Sequence, residues 1–395
     1  MARNETPRGA LATVPDKADV VLRFLESVGR KAESDFYVQL FRAEPKERFA
    51  ALSIDANVAR YAIDVVALHL KFLADLGLAP VVTLGLFEPT DAQEHAARLL
   101  RRLARLGVAA SIHAPDAARL TAACRAGVIP VVPFGAEHGG SIVARFDALA
   151  ALLRDLGTLK LIFLHRPGGL RQRDALVPLV NVSTDLPALL ASKELSRKER
   201  AIVVQAARLI GSVGHKLLVT VTSPLNLLRE LFTVKGAGTL LRRSARVLRF
   251  EGYDQLDRDR LEALIASSFG RSPVPEFFTR PVKRIYLEEQ YRGCAILSEA
   301  PWGAYLTKFA TDREARGEGI ARDLWDTFHE EHPAIAWRAR ASNPINEWYT
   351  KLADGLVKTP TWWIFWTGIS PDLIPDVVRF ALAQPVDLPA PTSGA

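Results

Sequence analysis

The run Trp337-Arg-Ala-Arg-Ala-Ser-Asn-Pro-Ile-Asn-Glu-Trp-Tyr349 brings two arginines, two asparagines and a tyrosine together, behind a turn at Arg316-Gly-Glu-Gly-Ile-Ala321. If 335–341 is a strand, side chains alternate between its faces, so Arg338 and Arg340 leave one face while Trp337, Ala339 and Ala341 leave the other. A guanidinium fork matches a carboxylate bidentately. Two on one face suit a dicarboxylic acid better than a neutral or basic ligand. The competing reading is an exposed strand with two solvated arginines.

The turn at 316–321 supplies a different chemistry. Gly317 and Gly319 let backbone approach an anion without a Cβ in the way, and the unpaired N–H groups and dipole of a following helix favour negative charge. The six residues fit the R-x-x-G-x-A pattern of GNAT-type acetyltransferases, where they face the pyrophosphate of coenzyme A. The flanks agree: 304–310 reads as a buried strand and 319–329 as a helix.

These residues need elements to hold them, and 395 residues at 49% hydrophobic content suit two domains, each with a core. No apolar run reaches bilayer-spanning length; the most apolar region, 61–87, is broken by Asp64, His69, Lys71 and Asp75, so no membrane partner is expected. Residues 1–18 read as a flexible tail, because 1–17 carries charges and prolines without an apolar signal core; a cytoplasmic address follows. Cys124 and Cys294 are too few and too far apart for a disulfide framework or a zinc site. Net charge +7 suits anionic ligands, but basic residues are interspersed with acidic ones and the cluster at 242–246 is short, which argues against nucleic acid. His329-Glu-Glu-His332 has the wrong spacing for H-E-x-x-H and lies ahead of Pro333, so it reads as a solvated helix end and no metal is expected.

Residues 19–243 alternate apolar strands with amphipathic helices, the pattern of a mostly parallel sheet covered on both sides, hence an α/β fold. Strands are predicted at 49–54, 79–84, 109–113, 129–133, 159–164 and 216–221, and helices at 61–76, 91–106, 117–126, 142–156 and 197–211. This domain resembles the amino-acid kinase fold, specifically the acetylglutamate-kinase-like half of N-acetylglutamate synthases. Its closing segment carries the resemblance: Ser223-Pro-Leu-Asn-Leu-Leu-Arg-Glu-Leu-Phe-Thr-Val-Lys-Gly-Ala-Gly-Thr-Leu240.

An active kinase needs a lysine and glycines after its first strand and a glycine-rich turn after its second, to hold the transferring phosphoryl group. Those places read Ser53-Ile-Asp-Ala-Asn57 and Leu84-Gly-Leu-Phe-Glu-Pro89, leaving Gly85 and no adjacent lysine. The expectation is a degenerate, structural or regulatory domain without phosphotransfer. The resemblance also implies that L-arginine can bind near 235–239 as an effector; the alternative is that Gly236 and Gly238 only shape a turn at a helix end.

From Val247 to the C terminus, 247–395, the pattern changes. An amphipathic helix at 256–269 ends near Pro273 and Pro275; strands follow at 284–289, 293–298, 304–310 and 335–341, then a helix at 346–352 and a strand at 362–367. That order resembles a GNAT acyltransferase domain. Tyr305-Leu-Thr-Lys-Phe309, the arginine run and Trp362-Trp-Ile-Phe-Trp-Thr-Gly368 are similar to the synthase domain of vertebrate-type N-acetylglutamate synthases and bacterial synthase/kinases.

The resemblance implies acetyl transfer from acetyl-CoA to L-glutamate. Lys308, in an apolar strand, needs a carboxylate partner or must reach water with its head; the family implies that it binds glutamate. Arg338 is expected to clamp a substrate carboxylate, Arg340 to share that role or brace the loop, and Asn343 to add an orienting hydrogen bond. Phe309, Ala310, Arg316, Gly317, Glu318, Gly319, Ile320, Ala321 and Asn346 are the expected coenzyme contacts, with backbone N–H groups of 308–310 facing the oxyanion. Tyr349 is expected to stabilise or protonate the departing thiolate; its rival role is an aromatic packed beside Trp348. The relatives assemble through the kinase-like domain, which implies a homo-oligomer, a tetramer or dimer of dimers.

Overall fold

A computed structural model describes residues 31–388 apart from Glu44, Ala136, His138, Gly139, Val234, Lys235 and 313–317. The chain divides into two compact units, Met1–Arg243 and Ser244–Ala395. The tail reading of 1–18 falls outside the described residues, as do Arg316, Gly317 and Lys235.

The first unit is built on one sheet. Its strands are β1 (Ala51–Ile54), β2 (Val81–Leu84), β3 (Ala110–Ile112), β4 (Ile129–Pro133), β5 (Lys160–Leu164), β8 (Leu179–Asn181), β9 (Leu218–Thr222) and β10 (Thr239–Arg242), with β6 (Arg171–Gln172) and β7 (Ala175–Leu176) forming a separate hairpin. The order is β3-β4-β2-β1-β5-β9-β10-β8. Only the β9/β10 pair runs antiparallel. The central strands are buried throughout, which is why they read as apolar runs rather than alternating ones.

The helices around this sheet are α1 (Lys31–Ala43), α2 (Ala56–Tyr61), α3 (Ile63–Asp75), α4 (Ala92–Arg105), α5 (Ala117–Arg125), α6 (Ile142–Leu156), α7 (Leu186–Ala191), α8 (Arg197–Ser212) and α9 (Leu227–Phe232). Their ends are set by local chemistry. The Ser141 hydroxyl accepts from the Ala144 N–H at 3.1 Å to start α6, and Gly157 stops it at φ 65°. Ser196 and Glu199 form a capping box on α8.

The second unit is a seven-stranded sheet in the order β11-β12-β13-β14-β15-β17-β16. The strands are β11 (Val247–Phe250), β12 (Arg284–Glu288), β13 (Gly293–Ala300), β14 (Gly303–Thr311), β15 (Ile335–Arg340), β16 (Gly355–Lys358) and β17 (Trp362–Thr367). Its helices are α10 (Arg258–Phe269), α11 (Ile320–Glu331), α12 (Asn346–Leu352) and α13 (Ile374–Ala383). One face packs α11 and α12 through Leu306, Phe309, Trp325, Phe328, Trp337 and Tyr349. On the other face, α10 covers Ile285, Ile296 and Ala310, and α13 covers Tyr305, Ala336 and Ile364. No helix among the described residues is long and apolar enough to cross a membrane.

Candidate active site

Strict alternation along β14 would put Leu306 and Lys308 on one face. The structure does not. Opposite the Ile296/Leu297 step of β13, the register of β14 jumps from Lys308 to Leu306, leaving Thr307 as an extra residue. The bulge resets the phase: Leu306 and Phe309 share the α11/α12 core, while Tyr305, Lys308 and Ala310 turn to the other face. β15 alternates as expected, with Trp337 and Ala339 in the α11/α12 core. Lys308 and Arg338 therefore lie on the same side of the sheet, an outcome that pattern reading alone did not reach.

Next to the bulge the sheet opens. β14 and β15 pair in parallel only through Leu306 and Trp337, so the β15-facing main-chain groups beyond Leu306 have no ladder partner. Residues 308–310, expected to offer backbone N–H groups, lie in that unpaired stretch. Gly319, at φ 83°, caps α11, and Ile320 is buried behind it. Glu318 is tied to Arg292 by an ion pair, and Ala321 packs against the adjoining core.

The cations have partners within the chain. The Lys308 ammonium is 3.0 Å from Asp387 Oδ2 and lies over the Phe277 and Phe269 rings at 5.0 and 5.5 Å. Burial pushes its pKa below the ordinary lysine value, with Asp387 acting in the opposite direction. Lys308, expected to find its carboxylate in the substrate, has beside it in the structure the carboxylate of Asp387 in the same chain. Arg280 pairs with the other oxygen of that carboxylate.

Arg338 and Arg340 converge on the Trp362 ring, their guanidinium carbons 4.0 and 4.2 Å from its centroid. The donors of Arg338 go to main-chain carbonyls: Nη1 to Ala381 (2.7 Å) and Leu382 (3.4 Å), Nη2 to Gln384 (2.9 Å) and Pro385 (2.8 Å). Arg338 thus ties down the end of α13, whose last carbonyls have no partner inside the helix. The solvated-arginine reading is excluded for Arg338.

The asparagines shape the loop after β15. Asn343 Oδ1 accepts from the Ile345 N–H at 3.2 Å, and Asn346 Nδ2 donates to the carbonyls of Arg340 (2.9 Å) and Ala341 (3.3 Å). Asn346 Oδ1 is buried with no hydrogen-bond partner, an acceptor held ready for a donor. Tyr349 is packed among Trp337, Trp348 and Phe365 at centroid distances of 5.5, 5.6 and 5.5 Å. Burial pushes its phenol above the ordinary range, so it stays protonated at neutral pH. His329 and His332 are not a solvated turn: His329 stacks on Trp325 at 5.7 Å, and His332 meets the Tyr286 ring edge-on at 6.2 Å.

In the first unit, the carboxyl ends of β1, β2 and β5 hold a cluster that sequence spacing did not show. Lys198, from α8, lies 2.7 Å from Asp55 and 2.8 Å from Glu88, so a lysine does reach this place, from far along the chain. Asp55 caps α2 through the Asn57 N–H at 2.7 Å and contacts His165 Nδ1 at 3.3 Å. Burial works to raise the Asp55 carboxyl, but the hydrogen bonds from His165 and Lys198 outweigh it and hold it below the usual range. Gly85 has φ +80°, and a Cβ there would stand 2.5 Å from the Phe134 carbonyl; the glycine serves close packing of β2 on the segment after β4. A cavity of about 340 Å³ lies elsewhere in this unit, lined by residues including Arg171, Arg229, Gly236 and Gly238. Gly238 does more than shape a turn, because a Cβ there would meet the Val221 carbonyl at 2.3 Å.

Comparison with known proteins places these features. A family profile described as "NAT, N-acetyltransferase, of N-acetylglutamate synthase" matches residues 248–379. The mitochondrial N-acetylglutamate synthase of Mus musculus is 30% identical, over 82% of this chain and 70% of that protein. The chain belongs to the N-acetylglutamate synthase family. The family includes proteins of synthase-kinase type: a Xanthomonas campestris pv. campestris relative named acetylglutamate kinase is 31% identical over 84% of this chain and 93% of its own length. With the family comes the enzyme class, the amino-acid N-acetyltransferases. The fold agrees with that of the synthase from Neisseria gonorrhoeae solved with coenzyme A and N-acetyl-glutamate, at a TM-score of 0.51 and 16% identity, covering 86% of this chain and 98% of that one.

Proposed function

We propose that this chain catalyses acetyl transfer from acetyl-CoA to the α-amino group of L-glutamate, as an N-acetylglutamate synthase. The observation that carries the reading is the conjunction of the opened β14/β15 strands with Lys308, Arg338 and Arg340 on one face beside them, inside the matched acetyltransferase region. The cations select a dicarboxylate, and the free main-chain groups near 308–310 receive the thioester oxygen as it becomes an oxyanion. Residues 318–321, with Arg316 and Gly317, hold the coenzyme's phosphates at the start of α11. Asn346 Oδ1 offers an acceptor to the coenzyme, and protonated Tyr349 donates to the leaving thiolate. The attacking amine gives its proton to water. No metal takes part in this scheme.

Thiol release from acetyl-CoA by the pure protein, with L-glutamate tested against other amines, checks the proposal. Release with glutamate is the expected result. Release only with another amine would keep the fold and cofactor and overturn the substrate; silence with every amine would favour an arginine-binding regulatory protein with a vestigial site.

The first unit is proposed to be regulatory or structural. At the end of β1, where a phosphoryl group would need free N–H donors and a cation, the Asp55 carboxylate takes the Asn57 N–H and, with Glu88, the Lys198 charge. The name of the Xanthomonas relative favours the second reading, an active kinase. ATP-dependent phosphorylation of N-acetylglutamate by the pure protein would establish that reading. L-Arginine as an effector near Gly236 and Gly238, a cytoplasmic location and a tetramer complete the proposal; calorimetry with L-arginine and light scattering test the first and last.

A further inference from the structure

The face of the second sheet that carries Lys308 and Arg338 is crossed by the chain's own C-terminal segment, which engages both residues at once. Arg338 binds the carbonyls of Gln384 and Pro385, and two residues on, the Asp387 carboxylate sits between Lys308 and Arg280. Resting on the reading of Lys308 and Arg338 as substrate anchors, we infer that residues 384–388 are an internal pseudosubstrate: Asp387 occupies the place of a substrate carboxylate, and L-glutamate binds by displacing it.

The chemistry of the strap imitates the ligand. Asp387 offers a carboxylate one methylene shorter than that of glutamate, and the carbonyls of 384 and 385 stand in for the second acidic end. Positions 385 and 387 of an extended chain are about 6–7 Å apart. The carboxyl carbons of an extended glutamate are about 5 Å apart from bond lengths alone, and the oxygens reach further.

The way the strap is held fits a removable occupant. The Asp387 side chain is 10% exposed, whereas Val386 beside it is 51% exposed. Leu388 packs at the rim of the α10 cluster, and the Val274 N–H donates to the Asp387 carbonyl at 2.9 Å. The segment thus runs exposed at Pro385 and Val386 before it dips at Asp387 to insert one acid, and those two residues bury little apolar area. Two cations, Lys308 and Arg280, hold the one carboxylate of the strap, while beside them Arg338 binds carbonyls and Arg340 lies on the Trp362 ring, so a ligand with two carboxylates balances the site better. Affinity for glutamate then carries the cost of opening: a strap closed nine-tenths of the time raises the apparent dissociation constant about tenfold.

Steady-state kinetics and amide exchange on the full chain test this. Asp387→Asn should lower KM for L-glutamate by about three- to tenfold with kcat and the KM for acetyl-CoA little changed. In the wild type, saturating L-glutamate should speed exchange at 384–388 and slow it at 303–311. If Lys308→Met raises KM for glutamate while Asp387→Asn leaves it unchanged or raised, the strap inference is overturned and the substrate site stands. If Lys308→Met changes nothing and neither segment responds to glutamate, the substrate assignment fails and the inference with it. Should Asp387→Asn not fold, the wild-type exchange decides: slower exchange at 303–311 with 384–388 equally protected overturns the pseudosubstrate.

Discussion

Arg338 places its guanidinium 4.0 Å from the centre of the Trp362 ring while its N–H donors reach four carbonyls at the end of α13. One planar side chain both stacks and fans out, which a lysine cannot do. The substitution Arg338→Lys should therefore loosen the C-terminal helix, lowering Tm by several degrees, and raise KM for glutamate roughly tenfold or more. Thermal melts and glutamate titrations of the same preparation check both halves; an unchanged Tm would show that the carbonyl contacts carry no stability.

Trp362→Leu keeps an apolar side chain across from Arg340 and removes the ring under both guanidiniums. A cation–π contact of this kind contributes about 0.5–2 kcal/mol. KM for glutamate should rise a few-fold with kcat nearly constant. A fall in kcat at unchanged KM would mean that the ring positions the reacting atoms instead.

Tyr349 is buried, and its hydroxyl makes no hydrogen bond to a described residue. Tyr349→Phe should for that reason fold with wild-type stability, while losing about 100-fold in kcat if the phenol serves the thiolate. KM should move little. The reverse split, an intact kcat with a raised KM, would leave Tyr349 as packing only.

Asp55 supplies a pH dependence in the first unit. Its folded pKa lies below the ordinary aspartate value, so its pairing with Lys198 and His165 contributes stability that is complete above that value and is lost as pH falls through the folded pKa. Asp55→Asn should be less stable than wild type at neutral pH by about 3 kcal/mol, in the range for breaking a buried pair. The gap should close below about pH 4, near the unfolded aspartate value. Urea denaturation of both proteins across pH 3–7 measures it, and a gap independent of pH would assign the loss to the α2 cap alone.

Lys308→Met would leave Asp387 with Arg280 as its remaining cation. The stability loss is accordingly expected to be partial, about 1–3 kcal/mol, smaller than for a buried carboxylate stripped of every partner. KM for glutamate should rise in the same variant.

Much of the fold was legible because long buried strands and well-capped helices write strong local patterns. The helix predicted at 142–156 and the strands at 129–133 and 362–367 coincide with the observed elements. Short pieces escaped: β6 and β7 are two residues each, too short for alternation to register, and β16 is a four-residue strand at the sheet edge. α13 was missed although Val377 and Ala381 recur at helical spacing, because prolines at 371 and 375 resemble a loop. The paired arginines are legible in β15, but the carbonyls that Arg338 binds lie 43–47 residues further on, beyond any local periodicity. Asp387 is unremarkable in sequence and decisive only in space.

The extra residue at Thr307 works as a phase shifter. A strand that kept Thr307 but paired it regularly with β13 would retain Lys308, Arg338, Arg340 and Tyr349 as residue types, and a position-by-position comparison would score its active site as complete. Its lysine would nonetheless point into the aromatic core, away from the arginines, so the bulge decides this site as much as any side chain does.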